Sequence, residues 1–210
     1  MFLDCFACGP FETNTYVIAC KETKIAAVID AAMGSFSLVM EKAKKDHLEL
    51  KYLFLTHSHW DHMADAYLFQ KKLSLSIWVD PKDAPNLEKP GSDKLPLMMA
   101  IEGVKADHFF EEGKEISIGN IKMKVIATPG HSPGGVSLYC EKQKILFSGD
   151  TLFRGTMGNI SFPTSSPKDM WTSLKKLSTL PPDTVVLPGH GPKTTIGEEK
   201  WIAKAEELYG

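Results

Sequence analysis

The chain has 210 residues, 43% hydrophobic and 24% charged, with a formal net charge of −2 at pH 7. That length supports one sizeable core, and the near-neutral charge excludes a nucleic-acid binder that relies on a broad positive field. Met1-Phe2-Leu3-Asp4 has no positive n-region and no long apolar segment follows, so neither a secretory signal nor a membrane-spanning helix is expected and the chain reads as cytoplasmic.

In chain order, residues 1–30 read as strands. Thr15–Cys20 and Ile25–Asp30 are β-rich runs, and the polar link Lys21–Lys24 between them predicts a hairpin. Cys5, Cys8, Cys20 and Cys140 show no disulfide-framework spacing, and the lone Cys5-x-x-Cys8 pair is read as ordinary strand or core thiols. Gly34-Ser35 opens a helical pattern through about Lys45, with Ser35 as its expected cap. Leu50–Leu55 is a predicted strand, and Ala64, Ala66, Leu68, Phe69 and Leu73 fall at helical spacing after it. Ser76–Val79 reads as a short strand. Asp80–Ala100, rich in Pro, Asp and Lys, reads as a long exposed loop or short helix. Strands are expected at about Ile116–Ile118, Ile121–Ala127, Val136–Cys140, Lys144–Phe147 and Thr184–Leu187. Helices are expected at Pro167–Leu177 and Thr195–Tyr209. No repeat or linker divides the chain, so one domain over residues 1–210 is expected, built from two β-sheets with helices outside.

Thr56-His57-Ser58-His59-Trp60-Asp61-His62 packs three imidazoles and a carboxylate directly after an apolar run. In an extended segment His57 and His59 point to one side. If the chain then turns into a helix, Asp61 and His62 are carried to a second side of the same spot. Neutral imidazole and carboxylate suit zinc and similar borderline cations. Three further buried-type strands each run through a glycine turn into one potential ligand: Gly130-His131, Gly149-Asp150 and Gly189-His190. Five of the seven histidines therefore sit at strand ends, whereas His47 and His108 are read as surface or structural residues. Seven N/O ligands exceed what one tetrahedral ion needs, and they fit two ions sharing a carboxylate with coordination left open for water.

The ordered set His-x-His-x-Asp-His, then His131, Asp150 and His190, resembles the metallo-β-lactamase-fold hydrolase superfamily. Thr128-Pro129-Gly130-His131-Ser132-Pro133-Gly134-Gly135 and Phe147-Ser148-Gly149-Asp150-Thr151-Leu152-Phe153 look most like its glyoxalase II-like (hydroxyacylglutathione hydrolase-like) branch. The resemblance implies an α/β (α+β) fold, a four-layer αβ/βα sandwich with the metals at one edge. It implies a first ion on His57, His59 and His131, a second on Asp61, His62 and His190, and Asp150 bridging. The implied cofactors are two divalent ions, zinc foremost, with iron or manganese as alternatives.

The expected chemistry is hydrolysis of a small-molecule acyl substrate, foremost a thioester, by a metal-bridging hydroxide, with Asp61 also orienting the nucleophile. Trp60, Phe153, Met157 and Phe162 follow the ligand loops and are candidates for the substrate pocket, while Lys193, Thr194 and Thr195 are weaker candidates for holding an anion. A lactonase or other acyl hydrolase, and a mononuclear-iron persulfide dioxygenase, are the competing enzyme readings. A metal-binding interaction module is the non-enzyme reading. A β-lactamase is disfavoured, since zinc lactamases of this fold generally lack the bridging Asp. No nucleic-acid or membrane partner is expected.

Overall fold

A computed structural model covers residues 1–210 and arranges the strands in two six-stranded sheets. The first sheet contains β1 (Phe2–Cys8), β2 (Thr13–Ala19), β3 (Ile25–Ile29), β4 (Glu49–Phe54), β5 (Ser76–Val79) and β6 (His108–Phe109), side by side in chain order. β1, β2 and β3 pair antiparallel, and β3 to β6 pair parallel. The parallel steps need crossovers. Helices α1 (Ser35–Asp46), α2 (Trp60–Met63), α3 (Ala66–Leu73) and the short α4 (Ala84–Glu88) lie in them. The second sheet contains β7 (Glu115–Ile118), β8 (Ile121–Ala127), β9 (Val136–Cys140), β10 (Ile145–Gly149), β11 (Val185–Pro188) and β12 (Thr194–Thr195). Helix α5 (Pro167–Leu177) connects the parallel pair β10–β11, and α6 (Ala205–Tyr209) follows a 3₁₀ turn at Lys200–Lys204.

Period-two alternation along the strands builds three layers of core. On β2 and β3, Tyr16, Ile18, Ala27 and Ile29 point between the sheets, where they meet Met123, Val125, Leu138 and Phe147. Val17 and Val28 point the other way, against Val39 of α1 and Phe69 of α3. In the second sheet Tyr139, Leu146 and Val186 turn outward against Met170, Trp171, Leu174 and Leu177 of α5. The order helix, sheet, sheet, helix is the αβ/βα sandwich expected from the sequence. No helix is long and apolar enough to cross a membrane.

Most expected elements appear within a residue or two. Three differ. Ser35 does not cap α1: it is the first helical residue and is buried. The cap position is Gly34, in the left-handed region at φ 83°, which glycine adopts without steric cost. The carboxylate of Asp65 caps the helix from outside by accepting the Phe36 N–H at 2.9 Å. The closing segment Thr195–Tyr209 is not one helix. Thr194–Thr195 adds an edge strand to β11. Glu199 then turns inward to accept from Thr194 Oγ1 at 2.6 Å, Trp201 Nε1 at 2.7 Å and the Gly155 N–H at 2.9 Å, which delays the helix to residue 205. The segment Asp80–Ala100 contains the short helix α4, yet it is not simply exposed, because Asp83, Asn86 and Asp93 are buried.

Phe54 anchors the inner layer. It is 1% exposed, with its ring 5.6 Å from Tyr52, 6.1 Å from Trp78 and 5.9 Å from Phe110. Phe54→Ala is expected to destabilise the protein by about 3–5 kcal/mol, measured by urea unfolding at unchanged m-value. A loss under about 1 kcal/mol would contradict this placement of the core.

Candidate metal centre

The strand directions bring the candidate ligands together. β8 and β10 are each antiparallel to β9, and β11 is parallel to β10, so β8, β10 and β11 all run the same way. His131, Asp150 and His190 therefore leave the second sheet at one edge. The loop after β4 reaches that edge from the first sheet, joined by a hydrogen bond from the Val136 N–H to Thr56 O at 2.9 Å. His59 is extended, at φ −63° and ψ 144°, and α2 starts at the next residue, so Asp61 and His62 lie on its first turns. This is the extended-then-helical path under which Asp61 and His62 reach a second side of the same spot.

The seven residues fall into three overlapping groups, of which His57, His62 and Asp150 join the other two. The ring nitrogens of His57, His59 and His131 lie within 4.8 Å of one another, as do the ligand atoms of Asp61, His62 and His190. Asp150 faces both: one carboxylate oxygen lies 3.3 Å from His62 Nε2, the other 3.4 Å from the Nε2 atoms of both His131 and His190. His47 and His108 are exposed and lie outside the clusters. His47 ends α1 in a left-handed turn and His108 stacks on Trp78 at 4.5 Å.

The tautomers follow from the outward hydrogen bonds. The Nδ1–H of His57 donates to Thr56 Oγ1 at 3.2 Å, and that of His62 to the Asp30 carboxylate at 2.9 Å. That of His131 donates to Asn159 O at 2.8 Å, and that of His190 to Phe11 O at 3.0 Å. Each of these rings then turns its Nε2 inward, the arrangement that orients imidazole for a metal. The Nε2 atoms of His57 and His59 are buried with no hydrogen-bond partner. A buried acceptor left without a partner is costly, and a cation supplies what is missing. The donor set fits divalent ions.

Electrostatics separates the two halves. Burial, and then the neighbouring imidazoles of His62 and His59, hold His57 well below the usual histidine range. Burial followed by His131 pushes His59 down to about 3. These rings are neutral donors. Burial works against charge on Asp61, but His62 and hydrogen bonds from His190 and Thr13 bring its carboxyl down to about 2. Burial likewise opposes a charge on His190, yet Asp150 and Asp61 raise it to about 9. The second half is thus an ionised, proton-attracting pocket in which a metal cation would replace the proton.

Phe162 stands 5.5 Å, centroid to centroid, from both His59 and His131, while Phe153 stands 5.9 Å from His190. The two half-buried rings flank different clusters. Trp60 is buried and meets the exposed Phe11 at 5.3 Å. Met157 packs against the core under α5. Lys193 is exposed, and Thr194 is buried in the contacts with Glu198 and Glu199, a structural use.

Several supporting residues have no place in the sequence reading of the site. Asp30, at the end of β3, accepts from Thr56 N at 2.8 Å and from His62; its position at the end of an apolar strand was a usable signal. Thr13 donates to Asp61 at 2.7 Å, and Tyr16 OH and Asn14 Nδ2 hold Pro188 O at 2.7 and 3.0 Å. These contacts join the two ends of the chain and leave no local pattern.

Two six-stranded sheets with histidine and aspartate clusters at their shared edge define a metallohydrolase-type scaffold, and comparison with known proteins gives the family. A family model described as Metallo-beta-lactamase superfamily matches residues 8–190, and the chain belongs to that superfamily. It is 31% identical over 194 residues to the hydroxyacylglutathione hydrolase GloC of Haemophilus influenzae, covering 90% of this chain and 91% of that protein. Among solved structures, the BLEG-1 B3 metallo-β-lactamase superposes with a TM-score of 0.86 at 33% identity, covering 94% of this chain and 96% of that one. TTHA1623 in a di-iron-bound form superposes with a TM-score of 0.82, also at 33% identity, with the same coverage of 94% and 96%.

Gly189 marks how tightly the centre is packed: a Cβ there would sit 2.1 Å from Asp150 Oδ1 and 2.7 Å from His62 Cε1. Gly189→Ala is expected to weaken divalent-ion binding on the order of 10- to 100-fold while far-UV circular dichroism stays unchanged. Wild-type affinity in an equilibrium titration would mean that the backbone yields without moving either ligand.

Proposed function

We propose that the protein is a dinuclear metal-dependent hydrolase acting on a thioester of the hydroxyacylglutathione kind. The observation that carries this reading is the pair of donor clusters with Asp150 facing both. In it, His57, His59 and His131 would hold one ion and Asp61, His62 and His190 the other, with Asp150 available to both. Bound there, two divalent ions supply a water of lowered pKa and polarise an acyl carbonyl.

The chain's own residues do the rest. Asp30, Thr56, Asn159 and Phe11 fix the imidazole tautomers through the outward hydrogen bonds. Thr13 holds one oxygen of Asp61, which leaves the other carboxylate oxygen to accept from an attacking water and orient it. Phe162 and Phe153, on opposite sides of the centre, confine the acyl group and exclude bulk water, which strengthens the local electrostatics. Similarity to the hydroxyacylglutathione hydrolase GloC at 31% identity supports the thioester. Similarity to a B3 metallo-β-lactamase at 33% identity favours a second reading, attack on a β-lactam carbonyl by the same apparatus. The di-iron-bound relative leaves zinc and iron both in play as the native metal.

Elemental analysis of the purified protein, run beside hydrolysis assays on S-lactoylglutathione, a lactone and a β-lactam, tests this. About two metal ions per chain are expected, with thioester turnover that chelation abolishes and metal re-addition restores. Turnover of only the β-lactam would move the assignment to the second reading. One iron per chain, with oxygen consumed on a persulfide, would overturn hydrolysis altogether.

A further inference from the structure

The first cluster takes His57 and His59 from the first sheet and His131 from the second, so its geometry depends on how two separate loops are held against each other. One side chain outside both loops touches each of them. Asp83, 2% exposed, precedes α4 in the connection after β5. One of its carboxylate oxygens accepts the Ser58 N–H at 2.8 Å, and the other accepts the Gly134 N–H at 2.7 Å. Ser58 lies between the two ligands of the first loop, and Gly134 lies three residues beyond the ligand of the second.

Three further observations show that this contact is built into the fold. No basic side chain pairs with Asp83. Burial and the nearby Asp80 raise its carboxyl, and the Ser58 N–H, the Ser132 hydroxyl and the Gly134 N–H work against that rise. The two peptide groups are at hydrogen-bond distance, in bonds that are about twice as strong as neutral ones when the carboxylate is charged. Gly134 is packed directly on it: a Cβ at that position would lie 2.6 Å from Asp83 Oδ1 and 2.8 Å from the Asp83 backbone nitrogen. The other backbone group of Ser58 is held from the same helix. Asn86 Nδ2 donates to Ser58 O at 2.6 Å and to Asp93 at 3.0 Å, while Asn86 Oδ1 accepts the N–H of Gly91 at 3.0 Å. Both the N–H and the C=O of the residue between His57 and His59 are therefore bonded to side chains of one short segment.

We propose that Asp83 is a positioning residue for the first ion: by bonding Ser58 and Gly134 at once, it sets the separation between the His57–His59 loop and His131. The proposal rests on the reading of these histidines as metal ligands. Asp83 reaches the ion only through the backbone of the two loops. Its removal therefore affects the first cluster and spares the second, whose ligands Asp61, His62 and His190 are held by Thr13, Asp30 and Phe11. Asparagine is a partial replacement, because its amide offers one oxygen where the carboxylate offers two.

The test is equilibrium titration of the metal-free protein with Co²⁺, followed by visible absorption, on wild type, Asp83→Asn and Asp83→Ala. His131→Ala and His190→Ala serve as references for loss of the first and second ion. Wild type is expected to take up two ions. Asp83→Asn should weaken one of them on the order of 10- to 100-fold, Asp83→Ala by more. At one equivalent, the cobalt spectrum of both should match that of His131→Ala and differ from that of His190→Ala. A residue important only for overall stability would weaken both ions together and leave the spectrum that of wild type, and that result overturns the proposal. Unchanged binding of both ions overturns it too. Fewer than two ions on wild type itself defeats the dinuclear reading and the proposal with it. Should the Asp83 variants fail to fold, Gly134→Ala, which presses on the same carboxylate from the other loop, decides by the same spectral criterion.

Discussion

The Nε2 atoms of His62 and His190 lie 3.2 Å apart, and the carboxylates of Asp61 and Asp150 stand 3.3–3.4 Å from them. Beside them the Nε2 atoms of His57 and His59 are buried without any partner. The carboxylates and the His190 ring attract one another, but the unpartnered nitrogens of His57 and His59 are costly, and an unsupported loop would turn them toward water. The rings keep their places because four of the five are tied on the far side, His62 to Asp30, His57 to Thr56, His131 to Asn159 O and His190 to Phe11 O, while His59 follows Ser58, whose backbone is held by Asp83 and Asn86. The inner atoms have little freedom, and most of the polar network around the centre serves that restraint.

Those restraints in turn need both sheets. The ligands leave the strands β4, β8, β10 and β11, the first of them in a different sheet from the other three. The sheets are held face to face by the apolar layer around Phe54, Phe147 and Leu138, a non-directional force that does not by itself set loops to a fraction of an ångström. Directional bonds complete the alignment: Val136 to Thr56 across the interface, and Asn14 and Tyr16 to Pro188. Asn14 also reaches Gly191 O at 2.9 Å. The centre therefore joins the start of the chain to its last buried strands. It comes into being only when the two sheets have docked.

Glycine has a specific part in this economy of space. At Gly189 and Gly134 the backbone passes so close to Asp150, His62 and Asp83 that even a methyl group would collide. The glycine before each strand-end ligand was legible as a turn. The second use of Gly189, as room for the Asp150 carboxylate, was not, because the approaching group is remote in sequence.

The strands and the ligand set were readable because their signals are local: β-rich runs such as Thr15–Cys20, and a histidine or aspartate just beyond an apolar run at 57, 131, 150 and 190. The signals that failed were also local ones, overridden from a distance. Ser35 has the chemistry of a cap but lost the role to Gly34 and the Asp65 carboxylate, and the periodic closing segment was interrupted where Glu199 turned inward. The sequence by itself thus determined the sandwich, the seven candidate ligands and the class of chemistry they suit. Only the tertiary structure decided which nitrogen each ring presents, and that Asp30, Thr13 and Asp83 stand behind them. Hydrogen bonds between residues dozens to almost two hundred positions apart depend on the packing of two sheets, and no run of neighbouring residues encodes that packing.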